Sequence, residues 1–262
     1  MTIATGNESS IAYLKYPTSY INGLGLSNDA TTPNTKLDVA AGVTIDSTNT
    51  YQMISQSSIV IDATKNGLNG LDTGALAAST VYPVYLVSDP VTSNPIGAMI
   101  SLSYTGPLMP FGYSAFKLLG YVTTDGSAHF LPALWTAGNS GSRTCRYISY
   151  IATAVTAGQS TTFAAVNLIA AVPNVDKTPV VIYSIYIPAS ATNVMTLIPG
   201  NQTAGTAIQV AGQVASVGII SLVTMMSQVI SISSVLSPAI QYEVQNASDT
   251  AIIRVSGYNF EV

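Results

Sequence analysis

Few residues in this chain could do chemistry, and their spacing does not favour it. There is one histidine, His129, and one cysteine, Cys145, in 262 residues. A zinc shell usually takes three or four His or Cys ligands, so this inventory supplies none. Gly138-Asn139-Ser140-Gly141 is lettered like the nucleophile loop of a serine protease, which also needs a histidine base and an acid to orient it. The sole histidine lies only eleven residues upstream of Ser140, and a flexible Gly/Ser hinge explains the same letters. Asp38, Asp46 and Asp62 lack the D-x-D-x-D-G spacing of a calcium loop. Isolated aspartates beside Asn, Thr and Gly read as turn makers that bond their own backbone.

Glycan cleavage needs two carboxyl groups roughly 5–10 Å apart. The glutamates are Glu8, Glu243 and Glu261, and nothing in the order of residues sets Asp72, Asp89 or Asp125 beside another acid. An acid pair assembled across a subunit interface is the one enzymatic alternative. Neither a G-x-x-x-x-G-K-[ST] loop nor a strand–GxGxxG–helix unit occurs. The sequence therefore assigns no catalytic, cofactor-binding or metal-binding residue and implies no cofactor.

The elements around these residues are unusual in charge. Eight Lys and Arg and twelve Asp and Glu make 8% of the chain, where about a quarter is ordinary for a soluble domain. With 48% hydrophobic residues and a net charge of -4, the chain is not expected to be disordered. Eight scattered cations form no basic stripe, which argues against nucleic acid as a partner. The most apolar run, Val217–Ile232, is shorter than the ~20 residues of a spanning helix and is rich in Ile, Val, Ser and Thr, so it reads as strands. Membrane insertion is not expected, and the N-terminus has no basic region followed by an apolar core, so no signal peptide is read there. The single cysteine fits a reducing place of synthesis and is expected to be a buried small hydrophobe. From Thr178 to Tyr242 there are 65 residues without Lys, Arg, Asp or Glu. Such a surface predicts an obligate homo-oligomer, because obligate interfaces are poor in charge at their centres.

Residues 1–20 show no sustained period and read as an extended anchoring arm, with Tyr13, Tyr16 and Tyr20 as its docking side chains. Beyond it, turn dipeptides such as Asn22-Gly23, Asn66-Gly67 and Asn69-Gly70 separate runs rich in β-branched and aromatic residues. Strands are expected at Lys36–Val43, Tyr51–Ile61, Thr80–Val87, Ile96–Tyr104 and Phe116–Thr123, with Pro83 at an edge or bulge. Gly74–Ser79 could form at most a short turn of helix. The small-residue stretch Thr136–Arg143 suggests a boundary, giving an N-terminal β module over 21–138 and a C-terminal one over 139–262. The latter has about eight strand signals spaced as in a β-sandwich or jelly roll. The expected fold is mainly β throughout. Fifteen tyrosines against five phenylalanines add amphipathic rings that suit both sheet packing and binding surfaces, sugars included.

One resemblance emerges from the order of short motifs. Tyr20-Ile21-Asn22-Gly23-Leu24-Gly25-Leu26 leads into Leu37-Asp38-Val39-Ala40-Ala41-Gly42 and Asp46-Ser47-Thr48-Asn49. Gly70-Leu71-Asp72-Thr73-Gly74-Ala75-Leu76-Ala77 and Tyr82-Pro83-Val84-Tyr85-Leu86 follow, and Pro110-Phe111-Gly112-Tyr113 precedes Phe116-Lys117-Leu118-Leu119-Gly120. Over about residues 20–125 this resembles a family of tailed-bacteriophage virion proteins of structural or tail-fibre type. The resemblance implies a non-enzymatic building block, made in the bacterial cytoplasm and carried on the virion as a homotrimer. Its partners would be its own copies, other tail or capsid proteins and a host-surface glycan. The chain has neither heptads nor a G-x-y repeat, so a compact fibre or host-attachment module is the expected form. A capsid-decorating (cement) protein is the structural alternative, and a glycan-processing enzyme with an interface site the enzymatic one.

Overall fold

The computed structural model describes residues 20–91, 94–137, 141–175, 178–187, 189, 193–199, 208–211, 226–230 and 239–262. These residues form eighteen strands and no α-helix, so the chain is mainly β. Gly74–Ser79 is an irregular loop rather than a helical turn. The Tyr82 hydroxyl accepts from its Ala77 N–H, and Ala77 O accepts from Thr124 Oγ1, which gives that backbone partners outside any helix.

Three extended passes open the described chain, and each is broken once. The first gives β1 (Ile21–Gly23) and β2 (Leu26–Asn28), the second β3 (Lys36–Val39) and β4 (Gly42–Ile45), the third β5 (Gln52–Ser55) and β6 (Ile59–Asp62). The pieces sort into two antiparallel sheets, β1-β4-β5 and β2-β3-β6. Lys36–Val43 and Tyr51–Ile61, each expected as one strand, are thus two strands in different sheets. The first pass breaks where Gly23 and Leu24 take positive φ, and the Leu24 N–H is met by Ala41 O. Alternation then buries Leu37 and Val39 in β3, Met53 in β5 and Ile59 and Ile61 in β6.

A third sheet has the order β8 (Gly97–Ile100), β7 (Val81–Ser88), β9 (Ala115–Thr123). Strand β7 is buried almost along its length, as a central strand covered on both faces should be. Pro83 sits in this central strand rather than at an edge, one residue before a register shift between Val84 and Tyr85. Its carbonyl accepts from Ser101 N–H, just past the last residue of β8, so the bond its missing N–H would have made falls at the end of that ladder rather than in its middle. Leu24, Leu37, Ile61, Tyr82, Val84 and Leu119 belong to the core beneath these sheets.

The C-terminal region has two antiparallel sheets. One runs β10 (Ala133–Ala137), β11 (Ser142–Gly158), β18 (Thr250–Glu261), β13 (Thr178–Ile187), β16 (Met226–Ile230). The other runs β12 (Ala164–Asn167), β17 (Ala239–Val244), β14 (Val194–Pro199), β15 (Ile208–Ala211). Ile253, Val255 and Tyr258 from the first sheet and Leu197, Ile240 and Val244 from the second enter one core, an arrangement compatible with a sandwich. Strands β10 and β11 pair as a hairpin, Trp135 opposite Cys145, so the expected division near residue 138 falls inside a hairpin. The core of the C-terminal sheets also takes in Val81 and Tyr121 from β7 and β9, and Trp135 packs against both cores. Cys145 is buried, and burial pushes its thiol up to about 12, which fits its expected role as a small hydrophobe.

Candidate assembly surface

Of the aspartates considered for chemistry, Asp46, Asp62, Asp89 and Asp125 are used in turns, while Asp38 lies in β3 and Asp72 bonds Ser101 and Leu108. Asp29, Asp46, Asp62, Asp89 and Asp125 each accept from the backbone N–H two residues on, namely Thr31, Thr48, Thr64, Val91 and Ser127. This is the Asx turn, a local bond that needs no distant partner. Asp46 is the most enclosed of them, accepting also from Thr50 and Tyr51 N–H, each at 2.7 Å, and from the Thr48 hydroxyl. Burial alone would raise its carboxyl, but the bonds from Thr48, Tyr51 and Thr50 outweigh that and hold it low. His129 closes the Asp125 turn, with its Nδ1 3.8 Å from Asp125 Oδ2. Glu243 lies in β17 and Glu261 at the end of β18. Among the described residues no three His, Cys, Asp or Glu side chains converge on a common point that could hold a metal ion, and no helix is long and apolar enough to cross a membrane.

Of the expected anchoring residues, Tyr13 and Tyr16 lie outside the described residues, as do Ser140 and Glu8. Tyr20 is half-buried just before β1, and its carbonyl accepts from Thr44 Oγ1 at 2.8 Å.

A different feature stands out on the surface, the loop from Ser101 to Ser114. Its side chains divide by direction. Met109 and Tyr113 turn inward against Tyr85, Val87 and Met99, whereas Leu108 is 66% exposed and Phe111 103%. The reason is the turn that ends the loop. Tyr113 N–H donates to Pro110 O at 3.0 Å, and Gly112, in the third position, has φ +86°, as a type II turn requires. Phe111 occupies the corner of that turn, where a side chain has no neighbour to pack on.

The loop is pinned at many points. Asp72 Oδ2 accepts from Ser101 Oγ at 2.6 Å and from Leu108 N–H at 2.9 Å. The Tyr85 hydroxyl donates to Ser103 O at 2.8 Å and the Tyr113 hydroxyl to Pro95 O at 2.6 Å. Gly106, at φ +145°, has the Phe116 ring 2.7 Å from where a Cβ would stand, so the backbone lies directly on that ring. Burial pushes the Tyr85 hydroxyl up to about 12, helped by Tyr104 and Asp72, and burial likewise raises Tyr104 and Tyr113. These tyrosines are neutral, and residues 101–114 include no Lys, Arg, Asp, Glu or His. An apolar ring is therefore held in water on a loop that has no charge of its own and is anchored in part by the Asp72 carboxyl.

The foot of the loop reaches the other core. Tyr104 stacks on Tyr121 with ring centroids 5.7 Å apart, and its hydroxyl accepts from Asn174 N–H at 3.4 Å. Beside it a groove of about 310 Å³ opens between the start of β7 and residues 168–175. Val81, Leu102, Tyr104 and Ile169 line it together with Ser79 and Asn174. Leu102 and Ile169 are 57% and 44% exposed. Ile169 is held in place by a turn in which Ala171 and Val172 N–H donate to Leu168 O. Sequence reasoning assigned no role to Phe111 or to the groove. The Pro-Phe-Gly-Tyr order does carry a signal for the first, since glycine in the third position of a turn leaves the residue before it at the corner.

The geometry defines a mainly β protein with an apolar surface loop. No family model matches the chain, and no curated protein matches it. Among solved structures, one of infectious bursal disease virus, Gx strain, aligns over 92% of this chain and 69% of its own at 12% identity, with a TM-score of 0.22.

Proposed function

We propose that the chain is a non-enzymatic structural protein of a bacteriophage particle, a homotrimeric module of fibre or host-attachment type carried on the virion surface. The observation that carries this reading is Phe111, fully exposed on a loop pinned by Asp72, Tyr85 and Tyr113. A flexible loop could fold such a ring back onto the body, but this one holds it outward. Exposed aromatic side chains are common at protein contacts and poor for solubility otherwise, above all in a chain with 8% charged residues. The motif order over residues 20–125 supports the particle context. The two C-terminal sheets around one core support a sandwich-type module, and residues 1–20 would mount it through Tyr13, Tyr16 and Tyr20.

Two measurements test the reading. Sedimentation velocity at micromolar concentration should give three-copy particles, and antibody against the chain should label purified virions of the phage that encodes it. A stable single copy, or virions lacking the chain, would overturn it. Copy number per virion separates a fibre or attachment module, present in few copies, from a shell-decorating protein, present in tens to hundreds.

A further inference from the structure

We propose that Phe111 of one copy enters the groove beside Tyr104 and Ile169 of a second copy; this pairing rests on the assembly reading above and names the contact that would build it. Each copy carries both halves, a projecting ring and an apolar-lined recess. The recess, about 310 Å³, is ample for a phenyl ring, since an apolar cavity of about 150 Å³ already accepts benzene. The ring is held ready by the turn at Pro110–Tyr113, so little conformational freedom is lost when it docks.

Charge matching names the occupant. The loop has no ionic group, and Val81, Leu102, Tyr104 and Ile169 bring none to the groove. A highly charged partner would lose hydration at either face without gaining an ion pair. Another copy of this chain has no such cost. One ring cannot by itself reach the ~1,000 Å² of a specific interface. It would be the central anchor, with exposed Leu102, Leu108 and Ile169 covered around it. Because ring and groove are different patches, the contact is head-to-tail, and under the trimeric reading three such contacts close a ring.

The test uses the full chain with Phe111→Asp and Ile169→Lys, both at exposed positions and so compatible with the folded state. Circular dichroism should be unchanged for each, while each loses assembly in sedimentation velocity. A 1:1 mixture of the two should recover two-copy complexes, because one intact ring then meets one intact groove. A second measurement uses Phe111→Cys, Ile169→Cys and the double variant with a short bis-maleimide, the native Cys145 being buried and silent. Covalent multimers are expected from the double variant and not from either single one. Should both charged variants still assemble like the wild type, or should Phe111→Cys alone cross-link to itself, the ring-in-groove contact is wrong while the assembly reading stands. If the wild type itself sediments as single copies, both fall.

Discussion

Arg143 Nη1 donates to the carbonyl oxygen of Leu24 at 2.8 Å, across 119 residues of sequence. The same guanidinium donates to Leu119 O at 3.1 Å and, through Nη2, to Gly23 O at 2.9 Å. Its host strand β11 belongs to the C-terminal sheet, while two of the three acceptors are at the break between β1 and β2. One forked cation thus ties the second region to the place where the first pass bends. Burial pushes its pKa down to about 10, which still leaves it charged at neutral pH.

Arg143→Met should lower the unfolding free energy by about 2–4 kcal/mol. Three carbonyls lose a donor, those of Leu24 and Leu119 buried and that of Gly23 partly exposed, and an unmet buried acceptor costs roughly 1–3 kcal/mol, less where water can enter. Arg143→Lys should recover less than half, because an ammonium lacks the planar fork that reaches three acceptors. Urea titration measures both; a methionine variant as stable as the wild type would remove the clamp from the account.

Asp46→Asn should be less stable than the wild type at pH 7 by about 1–2 kcal/mol, and the difference should shrink in acid. The Asp46 carboxyl sits below its ordinary 3.8 in the folded chain. A carboxyl held low adds stability above its unfolded pKa and loses it as pH falls through the folded one. Lys117, buried on β9 and held low by burial against the opposing charge of Asp46, should be further destabilised in its charged form by the substitution. Thermal melts at pH 7 and pH 2.5 read the two gaps, and equal gaps would rule out the carboxylate as the source.

Gly106→Ala should destabilise by about 1–3 kcal/mol, since the new methyl meets the Phe116 ring in a backbone region unfavourable to L-residues. Phe116 stands edge-on to Tyr85 at 5.7 Å, so displacing it also loosens the hydroxyl that holds Ser103. Amide exchange over Leu108–Tyr113 should quicken alongside a lower melting temperature. An unchanged melt with unchanged exchange would mean the loop is held by its other anchors alone.

Features of short range were legible in the sequence. The β-branched runs marked strands, and the aspartates marked turns because an Asx bond spans only two residues. Cys145, with no second cysteine to pair with, read as a buried apolar group. Only the tertiary structure decided how the runs divide. Lys36–Val43 splits between two sheets because its neighbours, β1 and β2 on one side and β5 and β6 on the other, are themselves broken at the same level. The place of Arg143 was likewise illegible, since its acceptors at Gly23, Leu24 and Leu119 are brought to it by folding alone. So was the surface itself: Met109 and Phe111 are both apolar and two residues apart, and their opposite directions follow from a loop pinned by Asp72, Tyr85 and Pro95, groups that reach it only once the sheets have formed.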